Sequence, residues 1–222
     1  MQLFDEWPVA YDQWFTTPIG SLVKKYEAEL ILDLLKPEKG EAILDAGCGT
    51  GIFTLDILLS GSKVVGLDIS FPMLIQAGKK LQGLPFQRVL GDMLHLPFPE
   101  SIFDKVVSIT ALEFIKDTEG AIKELFRVTR RGGTVVVATL NSLSPWAQRR
   151  REEGEKGHPL FSKVFFRSPG ELAALTPFEG ETRTAVHFLK EENPVRAREI
   201  EKKGKSNNLS TGAFLAAQWV KS

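Results

Sequence analysis

Asp45-Ala46-Gly47-Cys48-Gly49-Thr50-Gly51 stands between the short apolar run Ala42-Ile43-Leu44 and a helical pattern over residues 52–59. A strand, a glycine turn and a helix in that order commit a chain to alternating β and α units. Glycines at 47, 49 and 51 let the backbone turn tightly and approach a ligand where a Cβ would clash. The helix expected after them offers N–H groups at its N-terminus. From the glycines alone, an ordinary strand-to-helix turn reads equally well.

The alternation continues on both sides of the loop. Leu22, Val23, Tyr26, Leu30, Ile31, Leu34 and Leu35 recur at helical spacing before Pro37. After the loop, strands are expected over 64–67, 86–90, 105–110 and 134–139, with helices over 73–81 and 118–129. Right-handed crossovers between such strands build a mostly parallel sheet covered by helices on both faces, with ligands at the strands' carboxyl ends. Residues 141–166 break the rhythm: they are polar, carry Arg149-Arg150-Arg151 and hold no long apolar strand, as expected of an insertion. A helix over 171–175 and strands over 184–189 and 213–220 close the chain. Those two strands are read as an antiparallel hairpin with a long, mobile, charged connection.

Three carboxylates at successive strand ends narrow the ligand. A dinucleotide fingerprint needs its third glycine at position 52, where this chain has Ile52. Asp45 would repel a pyrophosphate and attract an ammonium. S-adenosylmethionine has an amino-acid end with an ammonium and a carboxylate, which an acidic strand end beside free N–H groups matches in both signs. Asp68 follows the apolar run 64–67 and is positioned to accept from both ribose hydroxyls. Asp92 follows the third strand and is positioned to accept from the adenine amine while Met93 packs on the ring.

These segments resemble the class I S-adenosylmethionine-dependent methyltransferases, in particular the type 11 methyltransferase domain. The matching stretches are Ile43 to Gly51, Val65-Gly66-Leu67-Asp68-Ile69-Ser70, Gly91-Asp92 with Leu96-Pro97-Phe98, Phe103-Asp104-Lys105-Val106-Val107 and Arg130-Arg131-Gly132-Gly133, together covering residues 41–140. The resemblance implies a Rossmann-like α/β fold whose seven-stranded mixed sheet runs 3-2-1-4-5-7-6 with strand 7 antiparallel. It implies that Asp68 holds the ribose, Asp92 the adenine amine, and Gly47, Cys48 and Gly49 beside Asp45 the methionine portion. It further implies Ile69 and Met93 flanking adenine, Thr110 facing the methionine end, and Tyr11, ahead of the first long helix, as a lid residue. Tyr11, Trp14 and Phe15 read equally well as aromatics packing on the core.

One domain is expected over residues 1–222: an N-terminal lid and helix to 40, the cofactor-binding core over 41–140, an insertion shaping the acceptor pocket over 141–170, and a final helix and hairpin over 171–222. Lys plus Arg and Asp plus Glu both number 28, so no net field draws the chain to nucleic acid. The lone Cys48 excludes a disulfide framework or cysteine metal cluster and suits a reducing cytoplasm. Asp5, Glu6 and Asp12 interrupt the first twenty residues, so neither a signal peptide nor a membrane span is expected.

The expected activity is methyl transfer from S-adenosylmethionine, with S-adenosylhomocysteine as product, to a small-molecule acceptor. The alternatives are a non-catalytic binding or regulatory module, and an RNA or protein methyltransferase. No catalytic base and no metal ligand is assigned from sequence. His95, His158 and His187 read more readily as structural or solvated residues than as a base, and Glu113 equally well as a cap or charge at a helix start.

Overall fold

The computed structural model describes residues 2–222, and its seven strands form one sheet in the order β3-β2-β1-β4-β5-β7-β6. The strands are β1 Ala42–Ala46, β2 Lys63–Asp68, β3 Phe86–Leu90, β4 Phe103–Ile109, β5 Thr129–Leu140, β6 Gly180–Ala185 and β7 Phe214–Val220. Strands β1 to β5 pair in parallel, whereas β7 runs antiparallel to both β5 and β6. The expected strand order and the antiparallel hairpin are both present.

Alternation along the strands divides the core into two layers. Ile43, Val64, Val107, Val136 and Phe214 face one side, where they meet Leu30, Ile31, Leu34 and Leu35 of helix α2, Pro18–Leu35. Leu44, Leu67, Val106, Val135 and Leu215 face the other, against Ala121, Ile122 and Leu125 of α5, Thr118–Val128. Local chemistry fixes where these helices begin. The Thr17 side chain accepts from Gly20 N–H ahead of Pro18 at the first helical position, and Asp117 accepts from Gly120 N–H. Helix α2 stops at Lys36, which takes the left-handed conformation before Pro37.

Helix α1 is Pro8–Trp14, α3 is Thr54–Leu58 and α4 is Phe71–Lys80. The region read as an insertion contains α6, Pro145–Glu155, and is followed by α7, Pro169–Ala173. The expected mobile connection between the last two strands is instead largely helix α8, Pro194–Ser206. Asn193 caps it by accepting from Val195 N–H, and Ala197, Glu201 and Gly204 are buried against the body. The sixth strand also differs from the expected 184–189, ending at Ala185. Val186 has φ +64°, and its N–H and that of His187 donate to the Glu201 carboxylate at 3.2 and 2.7 Å instead of to a strand. Val186 and Phe188 are buried, but in the turn toward α8 rather than in the sheet. Among the described residues, no helix is long and apolar enough to cross a membrane.

Candidate functional site

Parallel β1, β2 and β4 end on the same edge of the sheet, and the chain leaves each end through a segment that lines one cavity of about 690 Å³. Its wall includes Tyr11, Asp45, Gly47, Cys48, Gly49, Asp68, Ile69, Asp92, Met93 and Thr110, the ten positions singled out from sequence. The volume is within the usual range for a small-molecule site.

The glycine loop differs from expectation in one respect. Its N–H groups are not free: Gly47 and Cys48 donate to the Leu67 carbonyl at 2.7 and 3.0 Å, Gly49 donates to Asp68 Oδ2 at 2.8 Å, and Gly51 donates to the Cys48 carbonyl at 2.9 Å. The following helix α3 starts only at Thr54 and has five residues, too short for the anion site a longer helix offers. The loop instead presents bare backbone. Gly49, at φ +54°, faces space in which a Cβ would meet nothing within 4 Å, while a Cβ on Gly47 would lie 2.4 Å from Ala111 Cβ. Gly47 is therefore required by packing, and Gly49 leaves open surface beside the cavity.

Asp45 is 2% exposed. Its Oδ2 accepts from Thr54 Oγ1 at 2.6 Å, and its Oδ1 is buried without a hydrogen-bond partner. Burial, with the nearby Asp68 adding to it against the Thr54 hydrogen bond, raises its pKa to about 7. An unsatisfied buried acceptor costs about 1 to 3 kcal/mol, and an ammonium group would satisfy it. Asp68 is also raised, mainly by burial, although its Oδ1 accepts from Ser70 N–H and its Oδ2 from Gly49 N–H, each at 2.8 Å. A carboxylate has about four lone-pair sites, so acceptor capacity remains for a diol. Asp92 Oδ1 accepts from Leu94 N–H at 2.9 Å and so holds the turn that carries buried Met93. This set of acceptors beside bare backbone fits S-adenosylmethionine, which carries an ammonium, a diol and an exocyclic amine as donors.

The N-terminal segment is fastened across the cavity. Asp12 on α1 accepts from Thr50 Oγ1 at 2.6 Å and from Lys80 Nζ at 2.8 Å, and Asp5 accepts from Ser70 Oγ at 2.8 Å. Phe4 meets Phe114 edge to face with ring centroids 4.9 Å apart, and both line the cavity. Neither was found from sequence, because isolated aromatics outside a periodic segment carry no positional signal; Phe114 had only its closeness to the fourth strand. Trp14 and Phe15 pack on the core, with Phe15 edge to face against Phe53. Burial raises the Tyr11 hydroxyl pKa, and the nearby Thr110 side chain opposes that rise. Thr110 has φ +48°, a strained conformation for a β-branched residue, held by donation from its N–H to the Ala138 carbonyl at 2.9 Å.

The remaining candidate side chains fall in different places. His95 is exposed and lies off the cavity wall. His158 stacks on Phe161 at 4.3 Å, and the His187 ring bonds Glu201 at 3.1 Å beside α8. Arg149 forms a surface ion pair with Glu153, whereas Arg150 turns inward over Trp146 and Phe161. Glu113, fully buried, belongs to a single 3-10 turn, Leu112–Phe114, that follows the cavity residues Thr110 and Ala111.

Residues 44–137 match the Methyltransferase domain family Methyltransf_11. Over 130 residues the chain is 35% identical to the malonyl-[acyl-carrier protein] O-methyltransferase of Hamiltonella defensa, covering 58% of this chain and 50% of that protein. Over 146 residues it is 34% identical to the demethylmenaquinone methyltransferase of Beutenbergia cavernae, covering 65% and 59% respectively. The chain thus spans about half the length of the curated relatives it matches. A solved S-adenosylmethionine-dependent methyltransferase from Thermotoga maritima superposes with a TM-score of 0.70 at 23% identity, covering 99% of both chains, a likeness of fold. Three acidic strand ends, a bare glycine loop and the sheet order thus stand in and around residues 44–137, the segment that matches the Methyltransf_11 model of methyltransferase domains.

Proposed function

We propose that the protein transfers the methyl group of S-adenosylmethionine to a small-molecule acceptor by in-line displacement. The observation that carries this reading is the unpartnered Asp45 Oδ1 at the wall of the cavity that Asp68 and Asp92 also line. When bound, the cofactor supplies an electrophilic methyl on a sulfonium whose thioether leaving group needs no acid. The chain's residues bind, orient and exclude water. Asp45 holds the ammonium, Asp68 the ribose hydroxyls and Asp92 the adenine amine. Ile69 and Met93 flank the adenine, and Gly47, Cys48 and Gly49 line the methionine portion. Tyr11 and Thr110 close the methionine end, with α1 as the lid.

The acceptors named for the two curated relatives, malonyl-[acyl-carrier protein] and demethylmenaquinone, differ in chemistry, so similarity supports small-molecule methylation without selecting the molecule. The balanced charge and the single buried Cys48 support a cytoplasmic enzyme that does not act on nucleic acid. Calorimetry with S-adenosylhomocysteine tests the cofactor reading. Saturable binding at micromolar concentrations is expected, and no heat with folded protein would overturn it. Formation of S-adenosylhomocysteine with an added acceptor tests catalysis and separates an enzyme from a binding module.

A further inference from the structure

The cavity wall continues past the positions assigned to the cofactor, and there it becomes apolar. Leu3 and Phe4, ahead of α1, line it from one side, and Phe114 and Ile115, in the turn after β4, from the other. Contacts bring the two sides together. The half-buried Phe4 and Phe114 rings meet with centroids 4.9 Å apart and planes at 85°. Phe114 is tied to the glycine loop through Ala111. Its N–H donates to the Ala111 carbonyl at 3.1 Å, and Ala111 packs so closely on the loop that a Cβ at Gly47 would lie 2.4 Å from Ala111 Cβ. Phe4 is fixed by its neighbour Asp5, whose Oδ1 accepts from Ser70 Oγ at 2.8 Å and whose Oδ2 accepts from Gln2 N–H at 2.7 Å. Ser70 N–H in turn donates to Asp68. Both rings are therefore anchored beside the loop and carboxylate that the cofactor reading uses, yet neither is needed to satisfy a polar group of the cofactor.

We propose that Phe4 and Phe114 form the acceptor subsite and that the acceptor is a neutral aromatic molecule carrying a hydroxyl or thiol nucleophile. This proposal rests on the methyl-transfer reading. Two rings at 85° make a corner in which a third flat ring stacked on one is at once edge-on to the other, the two arrangements that aromatic pairs prefer. A saturated ring of the same size fills the space without either arrangement.

The absence of charge on the acceptor follows from the wall. Among the described residues, the buried side-chain atoms without a partner are Asp45 Oδ1, Glu113 Oε1 and Arg150 Nη1, and of these residues only Asp45 lines the cavity. At the mouth Lys116 is exposed, and its neighbour Asp117 accepts from Gly120 N–H at 3.0 Å to cap α5. A charged acceptor would bury its charge against phenyl rings with nothing to pair it, a cost that a neutral one avoids. In the transfer step the acceptor's oxygen or sulfur forms the new bond to the methyl carbon. The donor's carbon–sulfur bond breaks with its electron pair left on sulfur, and the acceptor's proton passes to water at the mouth, where Gln2 and Lys116 are both exposed.

The experiment begins with S-adenosylhomocysteine binding to the wild-type protein and to Phe4→Leu, Phe4→Tyr, Phe114→Leu and Phe114→Tyr. Failure of the wild type to bind removes the methyl-transfer reading itself. Affinity kept within about threefold in the variants shows that they fold and that the rings act on the acceptor side. A fall in that affinity as large as the fall in acceptor affinity would assign the rings to the cofactor and overturn the subsite. On the wild-type complex with S-adenosylhomocysteine, calorimetry compares 2-naphthol with decahydro-2-naphthol, its saturated counterpart, and with 6-hydroxy-2-naphthoate, its charged one. This comparison depends on no variant. 2-Naphthol should bind about tenfold more tightly than either. With S-adenosylmethionine, 2-naphthol and 2-naphthalenethiol should each yield S-adenosylhomocysteine. Phe4→Leu and Phe114→Leu should each raise KM for both about fivefold with kcat changed less, and tyrosine at either position should restore it. Equal binding of the saturated or charged compound, no binding of any of the three to protein that binds S-adenosylhomocysteine, no turnover of either nucleophile, or an unchanged KM in both leucine variants would each overturn the subsite.

Discussion

Thr110 and Asp45 hold unfavourable arrangements at the same cavity wall, one in its backbone and the other in an orphaned oxygen. Such features persist where the surrounding fold forces them, and they concentrate at sites of function. Thr110→Gly removes the strain of φ +48° at the cost of a more flexible unfolded chain. The balance is an expected gain of about 1 kcal/mol in stability, with slower turnover because the wall loses its side chain; chemical denaturation and initial rates measure the two. Asp68→Ala should weaken S-adenosylhomocysteine binding by about 2 to 4 kcal/mol. It removes the acceptor for the ribose and also the partner of Gly49 and Ser70 N–H. Unchanged affinity in a folded variant would end the ribose assignment. Asp45 and Asp68 were legible because chemistry was written locally: an acid at the end of an apolar strand has one edge of the sheet to occupy. Glu113 and Arg150 were not. They come from the turn after β4 and from α6, elements distant in sequence whose relation no local pattern encodes.

At the scale of elements, β1 to β5 announced themselves through alternation and turn glycines, whereas the last third of the chain did not. Strand β6 is an edge strand with polar Glu181, Thr182 and Arg183, so it lacks the apolar signature on which strand recognition rests. The apolar residues just after it drew the expected boundary four residues too far along. Helix α8 was hidden by its Glu and Lys content, although Asn193-Pro194 is a start signal that the charged composition masked. Helix α1 is held differently, through the contacts of Asp12 with Thr50 on the glycine loop and Lys80 on α4. Asp12→Ala should release the lid. Loss of about 1 kcal/mol of net hydrogen-bond energy predicts a several-fold weaker affinity for S-adenosylhomocysteine, carried mostly by faster dissociation in stopped-flow displacement. An unchanged dissociation rate would show that α1 does not close the site.

Across the whole molecule, three buried acids give stability a direction in pH. Asp45 and Glu113 are raised to about 7 and Glu27 to about 8, from ordinary values near 4. Between those limits the unfolded chain has released protons that the folded chain retains, so stability falls as pH rises and levels off only above about 8. For His187, burial lowers the pKa but Glu201 and the Leu209 carbonyl outweigh it, and the net shift is upward. Its contribution is present below the unfolded value and lost as pH rises through the folded one, which adds to the same trend. Glu201 is lowered despite its burial, so its contribution is lost only in more acidic solution. The ligand-free protein should therefore melt several degrees lower at pH 8 than at pH 5.5. The ligand should reverse part of this. An ammonium against Asp45 favours the ionised carboxylate, so binding releases a proton and strengthens with pH up to about 7. Thermal shifts from S-adenosylhomocysteine should be larger at pH 8 than at pH 5.5. Calorimetry near pH 6.5, in two buffers of different ionisation enthalpy, should register the released proton in wild type and not in Asp45→Asn. A ligand-free protein that gains stability over this range would show that the three acids are not held protonated, and binding without proton release would show that Asp45 is not the ammonium's partner.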